Sequence, residues 1–105
     1  MKKRIPSFHE DLIENLKNPK ERAAYLNAAI EDGDSRILLK AFRDIAEVYG
    51  GMTKLSSRTK LARESLYRTL SGKGNPKLST LKKVAHEFGL KMNFEPEHSK
   101  QPAHR

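Results

Sequence analysis

Apolar residues recur at three- and four-residue spacing along most of this chain. The most regular stretch comes after Asp34, where Leu38, Ala41, Phe42, Ile45, Ala46 and Tyr49 form one stripe. That periodicity predicts an amphipathic helix, capped by Asp34 or Ser35 and stopped by Gly50-Gly51, which serves as the central core element. Upstream, Leu12, Ile13 and Leu16 predict one or two helical turns over residues 10–16, behind an arm of residues 1–9. Ala23, Leu26, Ala29 and Ile30 then line a helix running to about Glu31, with Tyr25 beside that face. Asn18 can cap it, Pro19 suits its first position, and Glu21 is placed to reach back as in a capping box. Asp32-Gly33-Asp34 ends it.

Downstream, Leu55, Leu61, Leu66 and Leu70 supply the inward face of two short helices over residues 53–58 and 63–71. A tight turn joins them, and Gly72 opens a loop over residues 72–76. Ser79 is expected to cap a last helix that turns Leu81, Val84, Ala85 and Phe88 inward and stops at Gly89. Over residues 90–95 the period changes to two, which predicts a short strand. A lone strand needs a partner for its backbone groups, and a second copy in a two-fold dimer is the candidate. The pattern therefore predicts an all-α fold of about five helices with one short C-terminal strand. Residues 1–33 are an N-terminal arm and helical extension, residues 34–95 the main domain, and residues 96–105 a polar, disordered tail.

Charge sharpens this division. The formal net charge is +8. Residues 1–51 carry 9 Lys+Arg and 9 Asp+Glu, residues 52–91 carry 10 and 2, and residues 92–105 carry 2 and 2. The whole excess lies on the two-helix unit and the last predicted helix, which points to phosphate neutralisation. Two helices and a tight turn with a basic outer face (Lys54, Arg58, Lys60, Arg63 and Arg68) are the pattern of a helix-turn-helix, whose second helix enters the DNA major groove. Once Leu66 and Leu70 point inward and Thr69 borders that face, Arg63, Glu64, Ser65, Tyr67 and Arg68 are the candidates to read bases. Arginine suits guanine O6 and N7, and glutamate suits the cytosine amino group. Thr53 and Lys54 at the start of the preceding helix, with Lys73, Asn75 and Lys77 in the loop beyond the second, are the candidate phosphate contacts. The terminal Lys2-Lys3-Arg4 run offers further contacts of that kind.

Other chemistry finds little support. There is no cysteine, so disulfides and thiolate metal sites are excluded. His9, His86, His98 and His104 are scattered without metal-ligand spacing, no serine sits in a nucleophile motif, and GKGNP lacks the ending of a phosphate-binding loop. The expectation is a protein that is not an enzyme and needs no metal or cofactor. No apolar run approaches the roughly 18 residues of a membrane span, and MKKRIPSF lacks a subsequent apolar run. A single domain in the cytoplasm, with no membrane partner, is expected from its 105 residues.

Residues 61–92, LARESLYRTLSGKGNPKLSTLKKVAHEFGLKM, resemble the Cro/phage-repressor type of helix-turn-helix. More narrowly they resemble the addiction-module antidote proteins, antitoxin partners of RelE/ParE-superfamily toxins. The resemblance extends from Asp11 to Phe94 and includes AAYLNAAIEDGD, which a minimal repressor domain lacks. It implies a dimer that holds a toxin inactive and represses its own operon, with the recognition helix at residues 63–71. The family pattern has glycine in the turn and serine at the cap of the recognition helix, where this chain has Lys60 and Ala62. Residues 1–33, with Leu12, Ile13, Leu16 and Tyr25 as their apolar contacts, are the expected toxin-binding part. A basic toxin would meet the acids of this segment, and apolar contacts would supply affinity. Two alternatives share the pattern: a stand-alone transcriptional regulator without a toxin, and a protein-interaction module that has lost DNA binding.

Overall fold

A computed structural model describes residues 7–73 and 75–97. Among these residues the chain forms six helices: α1 (Phe8–Asn15), α2 (Pro19–Asp32), α3 (Ser35–Ala46), α4 (Met52–Thr59), α5 (Arg63–Leu70) and α6 (Leu78–Glu87), with one 3₁₀ turn (Glu47–Tyr49) after α3. The basic run Lys2-Lys3-Arg4, loop residue Gly74 and residues 98–105 of the expected tail lie outside the described residues.

Side-chain caps fix the starts of the first three helices. The Ser7 hydroxyl accepts the Glu10 N–H at 3.0 Å while the Glu10 carboxylate accepts the Ser7 N–H at 3.0 Å, a reciprocal capping box. Residues 7–9 therefore start α1 rather than belonging to an arm. Asn18 Oδ1 accepts the Lys20 N–H at 2.8 Å ahead of Pro19, as its sequence predicts. The Asn18 N–H goes to the Asn15 carbonyl at 3.2 Å, so the expected reach-back from Glu21 has no donor left to meet. Gly33 closes α2 in left-handed geometry (φ 88°). Asp34 caps α3 by accepting the Arg36 N–H at 2.9 Å, and the Arg36 guanidinium also grips it at 3.0 Å. Those bonds from Arg36 hold the Asp34 carboxyl below its ordinary pKa.

α3 is the central element, as its stripe predicts. It packs on α2, α4 and α5 and buries Leu39, Ala41, Phe42, Ile45 and Ala46. Leu55, Leu66, Leu70, Val84 and Phe88 complete the core from α4, α5 and α6, and Leu16 enters from the end of α1. Phe88 lies between Tyr49 (ring centroids 5.3 Å) and Phe42 (6.0 Å). Each fully buried Leu, Ile or Phe of this set contributes about 1.5–3 kcal/mol.

Two buried polar residues tie the N-terminal helices to this core. Arg22 on α2 donates from Nε to the Phe88 carbonyl at 3.0 Å and from Nη1 to the Leu16 and Lys17 carbonyls, each at 3.1 Å. It thus satisfies carbonyls where α1 and α6 end, groups with no partner inside their own helices. Asp44 on α3 accepts the Tyr25 hydroxyl at 2.6 Å and the Lys40 ammonium at 3.0 Å. The inward stripe of α2 is thus Arg22, Leu26 and Ala29. Ile30, expected inside, is turned outward and is 59% exposed.

α6 begins earlier than its serine suggests. The Leu81 N–H bonds the Lys77 carbonyl at 3.0 Å, making Lys77 the cap position and placing Ser79 within the first turn. The expected strand over residues 90–95 does not form within the described chain. Leu90 still donates to the Ala85 carbonyl at 2.9 Å, but residues 91–97 carry no helix or ladder.

Candidate nucleic-acid interface

α4 and α5 are two eight-residue helices joined through Lys60, Leu61 and Ala62. Lys60 takes left-handed geometry (φ 62°) and is the one non-glycine residue among those described to do so. That conformation costs an L-residue roughly 1–2 kcal/mol. Side chains from α4 hold the turn. Ser56 Oγ donates to the Leu61 carbonyl at 2.6 Å, and Thr59 Oγ1 donates to the Leu55 carbonyl at 2.9 Å while accepting the Leu61 N–H at 3.3 Å. Ala62 stands at the cap of α5 with no side-chain bond to offer.

α5 sorts its residues by face. Leu66, Thr69 and Leu70 are buried, and Arg63, Glu64, Tyr67 and Arg68 are exposed. Thr69, expected at the border, lies inside, and Ser65 is half-buried. The Arg63 guanidinium sits over the Tyr67 ring at 5.4 Å, so a cation and an aromatic plane are offered together. At the far end of α5 the Arg43 guanidinium donates to the Leu70 carbonyl. The Ser71 hydroxyl donates to the Arg68 carbonyl at 3.0 Å and accepts the Lys73 N–H at 3.2 Å. The helix is thus held at both ends while its outward side chains stay open.

The flanking candidates are open to solvent as well. Thr53 and Lys54 are exposed in the first turn of α4, and Lys73, Asn75 and Lys77 are exposed between α5 and α6. The Lys54 stem lies against Gly50, where a Cβ would come within 2.7 Å of it. Arg58 is not a free cation. It pairs with Glu87 of α6 at 2.6 Å and lies over the Tyr49 ring at 5.3 Å.

The residues expected to contact a toxin divide differently. Leu16 is 1% exposed and faces the core, so that assignment is corrected: its side chain is closed to a partner. Leu12, Ile13 and Tyr25 are half-buried against the same core. Burial first, and then the Asp44 carboxylate, pushes the Tyr25 phenol well above its ordinary pKa. Sequence reading missed Arg22 and Asp44, both inside amphipathic helices, and Phe8, which stands 87% exposed at the start of α1. Among the described residues no cluster of three or more His, Cys, Asp or Glu residues is placed to hold a metal ion, and no helix is long and apolar enough to cross a membrane.

A helical chain with a core-facing two-helix unit, a basic outer face and an acidic N-terminal pair has a counterpart among known families. The family model described as "Probable addiction module antidote protein" matches residues 7–96, and the chain belongs to that family. Membership brings an antidote role and a toxin partner in general terms. An uncharacterized protein of Haemophilus influenzae is 32% identical over 85 residues, covering 81% of this chain and 87% of that relative. No solved structure matches the chain.

Proposed function

We propose that this protein is the antitoxin of a type II toxin–antitoxin module, in which it neutralises a RelE/ParE-like toxin and represses its own operon by sequence-specific DNA binding. The observation that carries the DNA half is the exposed row Arg63, Glu64, Tyr67 and Arg68 on α5, flanked by Thr53, Lys54, Lys73, Asn75 and Lys77. In this reading α5 is the recognition helix of a phage-repressor-type helix-turn-helix. Its row reads base edges in the major groove, while the flanking groups grip phosphate and set position. The protein acts in the cytoplasm, without enzymatic chemistry.

Operator binding requires two such units in this reading. Residues 91–97 are exposed without helix or ladder and present Met92 and Phe94 to solvent, which favours pairing of residues 90–95 with a second copy. A two-fold dimer of this kind recognises half-sites about 34 Å apart. The second reading, an interaction module without DNA binding, is favoured by Lys60 in its strained turn and the uncapped Ala62.

Fluorescence anisotropy with the gene's own upstream DNA separates the two. For roughly five to eight phosphate contacts, log K against log salt falls with a slope of about −5 to −7. A slope shallower than about −2, or no binding at all, overturns the DNA half in favour of the interaction module.

A further inference from the structure

Between α1 and α2 lies an open groove of about 250 Å³, lined by Leu12, Asn15, Glu21, Ala24, Tyr25 and Ala28 over the buried Leu16. Its walls obey helical spacing. Glu21, Tyr25, Ala28 and Asp32 recur on one face of α2, and Phe8, Leu12 and Asn15 on one face of α1. Ala24 and Ala28 are exposed and small, so another backbone can approach closely. The exposed Phe8 extends the apolar wall by one turn beyond Leu12. Tyr25 is fixed by its bond to Asp44 (2.6 Å), so one wall is rigid before anything binds.

The charge around this groove states what it accepts. Residues 7–34 carry seven acids and three bases. One of those bases, Arg22, is buried and spends its donors on the Phe88, Leu16 and Lys17 carbonyls. The groove lining includes Glu21, Asp32 follows further along the same face of α2, and neither forms an ion pair with another described residue. An apolar channel edged with carboxylates fits a cationic amphipathic segment: apolar side chains on Leu12, Tyr25 and the alanines, lysines or arginines toward the edge. The basic half of a second copy also has the required sign. That contact is head-to-tail, however, and would join copies into a ring or an open chain rather than the two-fold dimer proposed above.

We infer that the α1–α2 groove, with Phe8 at its open end, is the seat for a cationic amphipathic segment of the toxin. This rests on the antitoxin reading above and names the surface that performs it, with the exposed groove face replacing Leu16.

The test uses the full-length chain and the protein encoded by the open reading frame beside its gene, with affinity and association rate measured at low and high salt. Ala28→Arg places bulk and a like charge in the groove at an exposed helical position, and Glu21→Lys reverses one edge charge. Ala28→Arg is expected to weaken binding at least about 100-fold. Glu21→Lys is expected to slow association about tenfold at low salt and much less at high salt. Both variants should keep the wild-type melting temperature and promoter binding. If both bind within about threefold of wild type, the groove assignment is wrong while the antitoxin reading stands. If the wild-type chain itself does not bind, the antitoxin reading fails and the groove assignment with it. If sedimentation shows that Ala28→Arg breaks a dimer, a second copy fills the groove and the toxin assignment is overturned.

Discussion

Replacing Arg22 with methionine would remove one of the two polar connections that hold the N-terminal helices to the rest of the core. The methionine keeps most of the apolar stem and loses three bonds, to Phe88, Leu16 and Lys17. Bonds from a charged donor are worth about 1.5–3 kcal/mol each. Two of the abandoned carbonyls are buried, and the Lys17 carbonyl is partly wetted. Against this, the variant no longer desolvates a guanidinium, which returns a few kcal/mol. The contact with the Tyr49 ring, at 5.6 Å, is lost as well. The net expectation is a loss of about 3 kcal/mol, corresponding to roughly 12–24 °C in a domain of this size. Urea unfolding followed by circular dichroism measures it directly. Arg22→Lys should recover little, because one ammonium cannot meet three carbonyls in the geometry of the guanidinium fork. A loss below about 1 kcal/mol for Arg22→Met would refute the claim that Arg22 joins the ends of α1 and α6.

Three further outcomes are tied to particular positions. Lys60→Gly should raise stability by about 0.5–1 kcal/mol in thermal melts, because glycine takes the left-handed turn without strain; an unchanged or lower melting point would mean the lysine side chain contributes elsewhere. Arg68→Ala should weaken operator binding by about 1–3 kcal/mol and relax preference at one base pair. An equal loss on every sequence would move Arg68 to the phosphate-contacting set. Tyr25 has a folded pKa raised above its unfolded value of about 10, so its contribution to stability is complete below about pH 10 and is lost as the pH rises beyond it. The stability gap between wild type and Tyr25→Phe should therefore narrow in urea titrations as the pH rises from about 10 to 12, and a constant gap would contradict the bond to Asp44.

Much of the fold was legible because its signals are local. The α3 stripe, the Asn18 and Asp34 caps, the glycine stops and the leucines of α4 and α5 each depend on residues a turn or two away. Arg22 and Asp44 were illegible because the partners that draw them inward, Phe88 and Tyr25, lie 66 and 19 residues distant, whatever their nearer bonds to Leu16, Lys17 and Lys40. A clue existed, since Arg22 precedes Leu26 by four residues and so shares its inward face. Ser79 misled because a good capping residue is equally comfortable inside a first turn, and the Leu81-to-Lys77 bond decided the start. Alternation over residues 90–95 describes a surface that would suit a strand, but a strand needs a neighbour, and the described part of this chain offers it none. The α5 face was readable from spacing alone. The closure of Leu16 was not, because it depends on how α1 lies across the core.

The most direct test of the proposal that α5 serves DNA and the α1–α2 half a toxin is a growth-rescue measurement with Arg63→Ala/Arg68→Ala. The double variant is expressed together with the product of the adjoining open reading frame, and colony formation is compared with that of the wild-type pair. Both substitutions lie on the exposed face of α5, so the fold should persist. Full rescue of growth, with promoter binding lost in the same variant, is the predicted result. Loss of rescue by a variant that retains the wild-type melting temperature would place the toxin on α5 and contradict the division of the molecule into two working faces.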